Sequence, residues 1–206
     1  VRLVDGRGRP LDLDTALLAF VDLVTEVDPG ATVAVPVSTS RCVEDLVTSR
    51  GGDVRWTRVS SSALFAAAEE PGVGFAGAEG GGYAFPAFLP AYDGVMSLVK
   101  LLELLARTDS TLEEVVDRLP APAVARIDVA TPWEARGAVM RRLVERLDGD
   151  RTVTIDGVKV YRGRDWGLIV PHPQEPVIRV WAEAEDRASS LELAQEFADR
   201  VEELRA

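Results

Sequence analysis

The sequence has almost none of the residues that build disulfides and metal centres. Its 206 residues include one cysteine, Cys42, and one histidine, His172. A single cysteine excludes an internal disulfide, which is typical of proteins in a reducing compartment, so we expect a cytoplasmic protein. One cysteine and one histidine also exclude a metal centre of the Cys/His type. We therefore expect no metal site and no cofactor in this chain.

Positive charge and long apolar runs are also scarce. The sequence has 23 Lys and Arg against 34 Asp and Glu, a net charge of -11. Nucleic acids and anionic membranes are recognised by clusters of positive charge, so we predict neither as a partner. A membrane-spanning helix needs roughly 20 apolar residues. The longest apolar stretch, 95–106, is interrupted by Lys100 and Glu103.

The N-terminus lacks the charged segment and the following apolar segment of a signal peptide. The sequence starts with Val1 instead of Met, and residues 1–4 have the composition of a strand. We therefore expect this sequence to be a piece of a longer protein, cut at or near a domain edge.

In the first half of the sequence, short apolar runs alternate with helical segments that follow capping residues. The run at 31–37 is almost unbroken, as in a strand buried on both faces. This alternation predicts an α/β fold with a mostly parallel sheet covered by helices, in three layers. The predicted strands are at 1–4, 31–37, 54–59 and 73–76, and the predicted helices are at 14–27, 41–49, 63–69, 95–107 and 111–119. Asp14 is the expected cap of the first helix and Asp93-Gly94 opens the fourth. Ser110 and Glu113 form the expected capping box of the fifth helix.

The second half predicts a small α+β unit with an antiparallel sheet and helices on one face. Asp156-Gly157 is a strong hairpin signal between two of its strands. The predicted strands are at 125–129, 152–155, 158–161, 168–170 and 177–181. The first predicted helix, 132–147, is capped by Thr131 and starts with Pro132, and Val144 lies on its inward face. The second predicted helix, 187–204, places Leu191 on its inward face. We divide the sequence into an α/β domain at 1–107, a linker with a short helix at 108–124, and an α+β domain at 125–206.

Two loops stand out as candidate sites. One is the glycine cluster G-A-E-G-G-G at 77–82, and the other is the loop P-H-P-Q-E-P at 171–176, which contains His172. A tight turn that needs positive φ explains the glycines without a ligand, and we favour that interpretation over a binding loop. A surface histidine is likewise our preferred interpretation of His172. The serine runs at 38–40 and 60–62 are interpreted as helix caps, because no base is available to activate a nucleophile.

Several motifs together resemble the C-terminal half of the α-D-phosphohexomutases, the phosphomannomutase/phosphoglucomutase family. They are G-A-E-G-G-G-Y at 77–83, D-G-V at 93–95, P-W-E-A-R-G-A-V-M-R at 132–141, D-G-V-K-V at 156–160 and W-G-L-I-V-P-H-P-Q-E-P at 166–176. Their order and spacing carry the resemblance, which covers essentially the whole sequence. The motifs at 132–141 and 171–176 more narrowly resemble the phosphomannomutase-like module fused to mannose-1-phosphate guanylyltransferase-type domains.

The resemblance implies a division of labour among four domains. In the family, the first domain carries a phosphoserine and the second a Mg²⁺-binding aspartate loop. The third domain recognises the sugar and the fourth holds the substrate phosphate. This sequence resembles the third domain at 1–107 and the fourth at 125–206. We therefore expect no catalytic residue here, with the nucleophile and Mg²⁺ supplied by a missing N-terminal half.

The family's sugar loop, G-E-x-S-G, falls on the glycine cluster Gly77, Ala78, Glu79, Gly80, Gly81 and Gly82. In this alignment the glutamate position is Ala78 and the serine position is Gly80. Both sugar ligands are then lost, unless the loop is shifted by one residue and Glu79 substitutes. The resemblance also places Ser61 where many members have a histidine that touches the phosphosugar.

The family's phosphate loop, R-x-S-G/N-T, falls on residues 170–174. The arginine position is Val170, and the following positions are replaced as well, by His172, Pro173 and Gln174. An arginine fork is the strongest phosphate ligand that a side chain supplies, so its replacement by valine removes most of an anion site. The remaining candidates in this loop are His172, Gln174 and Glu175.

Two hypotheses follow for function. The sequence is either the sugar-phosphate-binding half of a phosphohexomutase, or a degenerate non-catalytic module of a fused sugar nucleotidyltransferase. The expected partners are a phosphosugar and the upstream catalytic or nucleotidyltransferase domains of the same polypeptide. Under both hypotheses we expect this chain alone to be inactive as a mutase.

Overall fold

The computed structural model describes residues 1–147 and 151–205. The chain divides into two compact units, Val1–Pro122 and Ala123–Ala206. None of the helices in the described part of the chain combines the length and apolar character needed to cross a membrane.

The first unit is built on a four-stranded sheet of order β2-β1-β3-β4. Its elements are α1 (Leu13–Val27), β1 (Thr32–Pro36), α2 (Cys42–Ser49), β2 (Asp53–Thr57), α3 (Ser61–Ala68), β3 (Val73–Ala78), β4 (Gly82–Ala84), α4 (Gly94–Thr108) and α5 (Leu112–Arg118). Strand β1 is parallel to β2 and β3, and only β4 runs antiparallel, against β3. The prediction of a mostly parallel sheet is confirmed.

Helices cover both faces of this sheet. Val33 and Val35 of β1 pack into the apolar cluster that includes α1, whereas Ala34 belongs to the cluster on α3. Successive strand residues point to opposite faces, so β1 is buried on both sides, as its unbroken apolar run predicts. The unit therefore has three layers.

A charged network joins α5 to α1. Asp22 of α1 is almost fully buried, and the Nε and Nη2 atoms of Arg118 donate to it at 2.9 and 2.6 Å. Arg50 approaches its other carboxylate oxygen at 2.7 Å. Val115 of α5 is buried in the same cluster as α1. Because of these contacts α5 lies in the first unit, whereas the sequence places it in the linker at 108–124.

The second unit is a five-stranded antiparallel sheet of order β5-β9-β8-β7-β6 with two helices. Its elements are β5 (Val124–Ala130), α6 (Trp133–Arg146), β6 (Arg151–Val153), β7 (Val158–Arg162), β8 (Asp165–Pro171), β9 (Val177–Glu183) and α7 (Arg187–Arg205). The helices pack close to the sheet: a Cβ at Gly167 of β8 would lie 2.2 Å from the ring of Phe197 in α7. The predicted α+β architecture is confirmed.

Some local predictions are wrong. Residues 1–4 do not form a strand, since Val4 makes only an isolated bridge to Pro10. Helix α1 is capped by Asp12 instead of Asp14. The capping box of α5 pairs Thr111 with Glu114, one residue later than expected.

In the second unit, the predicted capping residue of α6 and part of the predicted inward faces of both helices are wrong. The residue that caps α6 is Pro132, because the buried Thr131 hydroxyl donates to the carbonyl of Val129 and leaves the helix uncapped by a side chain. Val144 and Leu191, predicted to face inward, are 51% and 54% exposed. Helical periodicity identifies the centre of an apolar face better than its edges.

Candidate functional site

The carboxyl ends of β1, β2 and β3 lie at one edge of the first unit's sheet. Ser38 follows β1, Ser60 and Ser61 follow β2, and Glu79 follows β3. In open α/β sheets, ligands bind in the crevice at this edge. The topology therefore brings together polar residues that are far apart in sequence.

Glu79 is the charged residue at the centre of this edge. The hydroxyl of Ser38 donates to Glu79 Oε1 at 2.7 Å. The other oxygen, Oε2, is buried and has no hydrogen-bond partner in the part of the chain that the structure describes. A buried carboxylate oxygen without a donor is costly, and such groups in proteins are normally satisfied by a donor, water or a ligand.

A cavity of about 470 Å³ opens beside Glu79. Its lining residues are Val1, Pro36, Val59, Ser60, Ser61, Ala78, Glu79, Gly80, Gly81, Gly82, Tyr83, Tyr92, Asp93, Gly94 and Ser97. This set contains two acidic side chains and neither lysine nor arginine. The volume lies within the range of small-molecule sites.

Two tyrosines extend the polar lining. The Tyr83 hydroxyl is buried without a partner among the described residues, and burial raises the pKa of this phenol. Burial also raises the pKa of Tyr92, although a hydrogen bond with Ser61 acts in the opposite direction. Both phenols are therefore neutral near pH 7 and available as donors.

The glycine cluster shapes the turn between β3 and β4. Gly81 has a φ of +78°, which only glycine adopts without strain. Gly82 lies under the ring of Tyr92, since a Cβ at this position would be 2.6 Å from ring atoms. Gly77 serves packing instead, because its Cβ would lie 2.6 Å from Leu17 Cδ1. The predicted residues Ala78 to Gly82 line the cavity, and Gly77 does not.

The loop at 171–176 lies in the second unit, between β8 and β9, and its polar groups are engaged within the loop. The His172 N–H donates to the carbonyl of Val177 at 3.0 Å. The Gln174 N–H approaches His172 Nδ1 at 3.4 Å. Glu175 is exposed, and its carboxylate lies 3.6 Å from His172 Nδ1 and 3.5 Å from Arg179. These contacts hold the three candidates together in one compact turn.

Arg136 of α6 supports this loop from beneath. Its side chain is buried, Nη1 donates to the His172 carbonyl at 2.6 Å, and Nε approaches the Thr131 carbonyl at 3.5 Å. Its guanidinium carbon lies 3.8 Å from the centre of the Trp133 ring. Trp133 is 51% exposed, and its ring stacks on the guanidinium of Arg136.

The loop carries both a buried cation and surface carboxylates. Arg136 Nη2 is buried without a hydrogen-bond partner among the described residues. The guanidinium of Arg179 is bound by the carboxylate of Asp128 at 2.7 and 2.9 Å, and this hydrogen bonding lowers the pKa of Asp128. Glu175 adds a negative charge at the loop surface. With valine at 170 and proline at 173, the loop offers no arginine fork of its own for an anion.

Within residues 1–147 and 151–205, no group of three His, Cys, Asp or Glu side chains is placed to hold a metal ion.

One family model matches the first unit of the chain. The model for phosphoglucomutase/phosphomannomutase, alpha/beta/alpha domain III, matches residues 14–123, which is more than half of the chain. The chain belongs to the phosphoglucomutase/phosphomannomutase family. Within this family it corresponds to the C-terminal part, domains III and IV.

Individual relatives extend the match over both units. A probable phosphoglucosamine mutase of Methanopyrus kandleri is 34% identical over 203 residues, which is 98% of this chain and 45% of the relative. A phosphoglucomutase/phosphomannomutase family protein of Burkholderia thailandensis superposes with a TM-score of 0.80 at 24% identity, over 98% of this chain and 44% of that one.

A third relative was solved with a ligand. The N-acetylphosphoglucosamine mutase of Aspergillus fumigatus, in complex with GlcNAc-6P and magnesium, has a TM-score of 0.72 at 13% identity, over 97% of this chain and 49% of that one. The chain thus spans less than half the length of these relatives.

The comparisons correct the narrower resemblance. The relatives are phosphoglucosamine mutases and other phosphohexomutases, and they do not support a module fused to a guanylyltransferase or another nucleotidyltransferase.

The roles of three residues in the two sites were not predicted from the sequence. Ser38 was interpreted as a helix cap, yet its hydroxyl binds Glu79, 41 positions away. Tyr92 and Arg136 were not singled out. A signal for Ser38 was present, because it follows a buried parallel strand whose carboxyl end must lie beside that of β3. Arg136 had no comparable signal, since its partners are backbone carbonyls.

Proposed function

We propose that this chain is the sugar-binding half of a phosphohexomutase, and that Glu79 accepts hydrogen bonds from the sugar. The observation that carries the proposal is the arrangement at Glu79. One carboxylate oxygen is fixed by Ser38 at 2.7 Å, and the other is buried without a donor beside a cavity of about 470 Å³. Glu79 thereby takes the role that the alignment denies to Ala78.

The cavity has the chemistry that a hexose requires. A sugar hydroxyl both donates and accepts a hydrogen bond, so it is satisfied by an acceptor and a donor placed together. Glu79 supplies a charged acceptor. Tyr92, which lines the same cavity and interacts electrostatically with Glu79, supplies a neutral phenol as a donor. Hydrogen bonds to a carboxylate are stronger than those between neutral groups.

An amino sugar is the form of hexose phosphate that this lining favours. Glu79 and Asp93 are acidic, and the α-amino group of Val1, which donates to the Gly81 carbonyl at 2.6 Å, also lies in the lining. A protonated amino group of a sugar is attracted to the two carboxylates. The name of the Methanopyrus kandleri relative, a probable phosphoglucosamine mutase, points to the same class of ligand.

Sugar recognition would then be the task of the first unit, and the chain by itself would carry out no catalytic step. The nucleophile and the metal of a mutase would come from domains I and II. Accordingly, the purified chain is expected to show no interconversion of glucosamine 6-phosphate and glucosamine 1-phosphate in the presence of Mg²⁺ and a bisphosphate activator. Turnover by the chain alone would contradict this division.

A second candidate function is a non-catalytic mutase-like module with a structural or regulatory role. The observation that favours it is the loop at 171–176, where Glu175 and Asp128 occupy the cation Arg179. Domain IV of this chain is then a scaffold without a phosphate site.

A titration of the ¹⁵N-labelled chain with glucosamine 6-phosphate separates the two functions. Sugar binding predicts amide shifts at Ser38, Glu79 and residues 80–82. The absence of shifts there at millimolar ligand would exclude sugar binding and leave the non-catalytic module. Shifts confined to residues 171–176 would contradict the assignment of the first unit as the binding unit.

A further inference from the structure

A groove opens at the start of helix α6, apart from both candidate sites. Its volume is about 720 Å³, within the range of small-molecule sites. The lining includes Thr131, Pro132, Trp133, Glu134, Pro176 and Arg205, all in the second unit. Of the loop at 171–176, only Pro176 lines the groove among the residues that the structure describes. The groove is therefore separate from positions 170–174.

The indole ring of Trp133 gives the groove a flat apolar face. One face of the ring is covered by Arg136, whose guanidinium carbon lies 3.8 Å from the ring centre. The side chain is nevertheless about half exposed, so the opposite face is open to the groove. A cation on one face draws electron density from the ring, and the open face then suits a flat electron-rich ring better than a second cation.

Arg136 brings a buried positive charge to the same helix start. It is 7% exposed, and its Nη2 atom has no hydrogen-bond partner in the described part of the chain. Its guanidinium folds back to the first turn, where Nε approaches the Thr131 carbonyl at 3.5 Å. Both of its hydrogen bonds, to Thr131 and His172, end on backbone carbonyls, so they do not neutralise its charge. A buried cation without a counterion is costly, and a nearby bound anion would lower that cost.

The N-terminus of α6 adds two further attractions for an anion. The helix has 14 residues, and its cap, Pro132, supplies no side chain to accept from the first-turn N–H groups. Free N–H groups and the helix dipole together favour anions at such an end. Arg205, whose Nη1 donates to the Ala130 carbonyl at 2.5 Å, places a second guanidinium in the lining. Glu134 opposes them with one negative charge, so positive charge is in excess around the groove.

We propose that this groove binds a nucleotide, with the base stacked on Trp133 and the phosphate between Arg205 and the start of α6. A nucleotide carries a flat ring and an anion in one molecule, and the groove presents a partner for each. Arg136 acts through its charge from beneath the indole, because its Nη2 is closed to solvent. The proposal does not depend on sugar binding at Glu79, which lies in the first unit.

Other ligands satisfy only part of the groove. A phosphosugar would meet the positive groups but has no aromatic ring to stack on the indole. A proline-rich peptide would cover the indole and leave the positive charge without an anion.

The test is a titration of the ¹⁵N-labelled 206-residue chain with AMP. The indole N–H signal of Trp133 reports on the groove directly, and the signals of the buried Trp166 and Trp181 are internal references. Adenosine lacks the phosphate and ribose 5-phosphate lacks the base, so each compound probes one half of the groove.

Three variants accompany the titration. Trp133→Leu removes the stacking face, and Arg205→Gln removes the exposed cation. Val144→Leu, at an equally exposed position farther along α6, is the matched control. Circular dichroism verifies that all of these chains are folded.

We expect AMP to shift the Trp133 indole signal and to bind at least about tenfold more tightly than adenosine or ribose 5-phosphate. Stacking of a base on an aromatic ring and a charge-assisted hydrogen bond each contribute about that factor. Trp133→Leu should bind AMP no better than the unmodified chain binds ribose 5-phosphate. Arg205→Gln should bind AMP about as weakly as the unmodified chain binds adenosine, and Val144→Leu should bind it normally.

Several results would overturn the proposal. One is the absence of a shift at Trp133 with millimolar AMP, and another is equal affinity for AMP and either of its fragments. Shifts confined to residues 79–82 would place the nucleotide in the sugar cavity instead. Equal weakening by Val144→Leu and Trp133→Leu would remove the role of the indole. A dimer that Trp133→Leu dissolves would show that a second copy of the chain covers the groove.

Discussion

The hydroxyl of Ser38, just beyond β1, donates to the carboxylate of Glu79, just beyond β3, at 2.7 Å. The two residues are 41 positions apart, and the parallel pairing of β1 with β3 brings them together. This contact orients the carboxylate at the edge of the cavity and leaves its second oxygen for another donor. The proposed role of Glu79 as a sugar ligand rests on this contact.

The first prediction concerns the glycine cluster, in which Gly77 packs against the core and Gly80 lines the cavity. Alanine at Gly77 would place a methyl group 2.6 Å from Leu17 Cδ1 and 2.9 Å from the Phe75 ring. We expect Gly77→Ala to lower the free energy of unfolding by about 1–3 kcal/mol, as overpacked cores do. Gly80→Ala is the control, because its methyl group would meet nothing within 4 Å. Urea unfolding of both variants checks this, and equal stabilities would contradict the assigned roles.

The second prediction concerns Asp22, which joins α1 to Arg50 and Arg118. Removal of the buried carboxylate leaves the more exposed Glu26 as the remaining acidic partner of the two guanidinium groups. Because both arginines are partly exposed, we expect Asp22→Ala to cost about 3 kcal/mol, at the lower end for a broken buried pair. Glu26→Ala, at the exposed side of the same network, should cost less than about 1 kcal/mol. Thermal and chemical unfolding measure both, and a larger effect at Glu26 would contradict the network as described.

The third prediction concerns the support of the loop at 171–176. Arg136→Met keeps most of the buried volume but removes the donors to the His172 and Thr131 carbonyls. We expect a loss of about 2 kcal/mol in unfolding free energy, since hydrogen bonds from charged groups are worth roughly 1.5–3 kcal/mol. We also expect faster hydrogen exchange of the His172 amide. Arg141→Met, at an exposed position of the same helix, is the control and should change neither quantity.

The fourth prediction is a pH dependence in the second unit. Hydrogen bonding from Arg179 lowers the pKa of Asp128 below the ordinary aspartate value of 3.8. A carboxylate whose pKa is depressed on folding stabilises the fold fully above that ordinary value and loses this contribution as the pH falls through its folded pKa. Stability should therefore decline only below about pH 3.8 on account of this group.

A carboxyl-detected NMR titration measures the pKa of Asp128 directly. In the variant Arg179→Gln the pKa should rise towards 3.8, and the decline in stability that this group causes below about pH 3.8 should become smaller. An unchanged pKa in the variant would show that Arg179 is not the cause of the depression.

Local sequence signals predicted most of the fold. The alternation of apolar runs and capped helices was sufficient for both sheets, and Asp93 before α4 was recognised as a helix start. Contacts between distant residues were not predictable in the same way. Periodicity places Ser38 after a strand but does not say that Glu79 will be its partner. For Arg136, the partners are backbone carbonyls, which the sequence does not distinguish from any others.

Local hydrophobic patterns in the sequence also predicted the solvent exposure of individual side chains poorly. Val144 and Leu191 are apolar, and helical periodicity placed them on the inward faces of their helices, yet each is more than half exposed. The α4 helix shows the same limit, because its apolar residues surround the helix and do not indicate which side faces the core.

The binding of glucosamine 6-phosphate to the chain and to its Glu79→Gln variant, measured by titration calorimetry, tests the central claim most directly. Glutamine keeps the shape of the side chain and removes its charge, and Glu175→Gln in the second unit is the matched control. We expect the unmodified chain and the control to bind equally, and Glu79→Gln to bind about tenfold more weakly, or worse. Equal affinity of the Glu79→Gln variant and the unmodified chain would contradict the assignment of Glu79 as the sugar ligand.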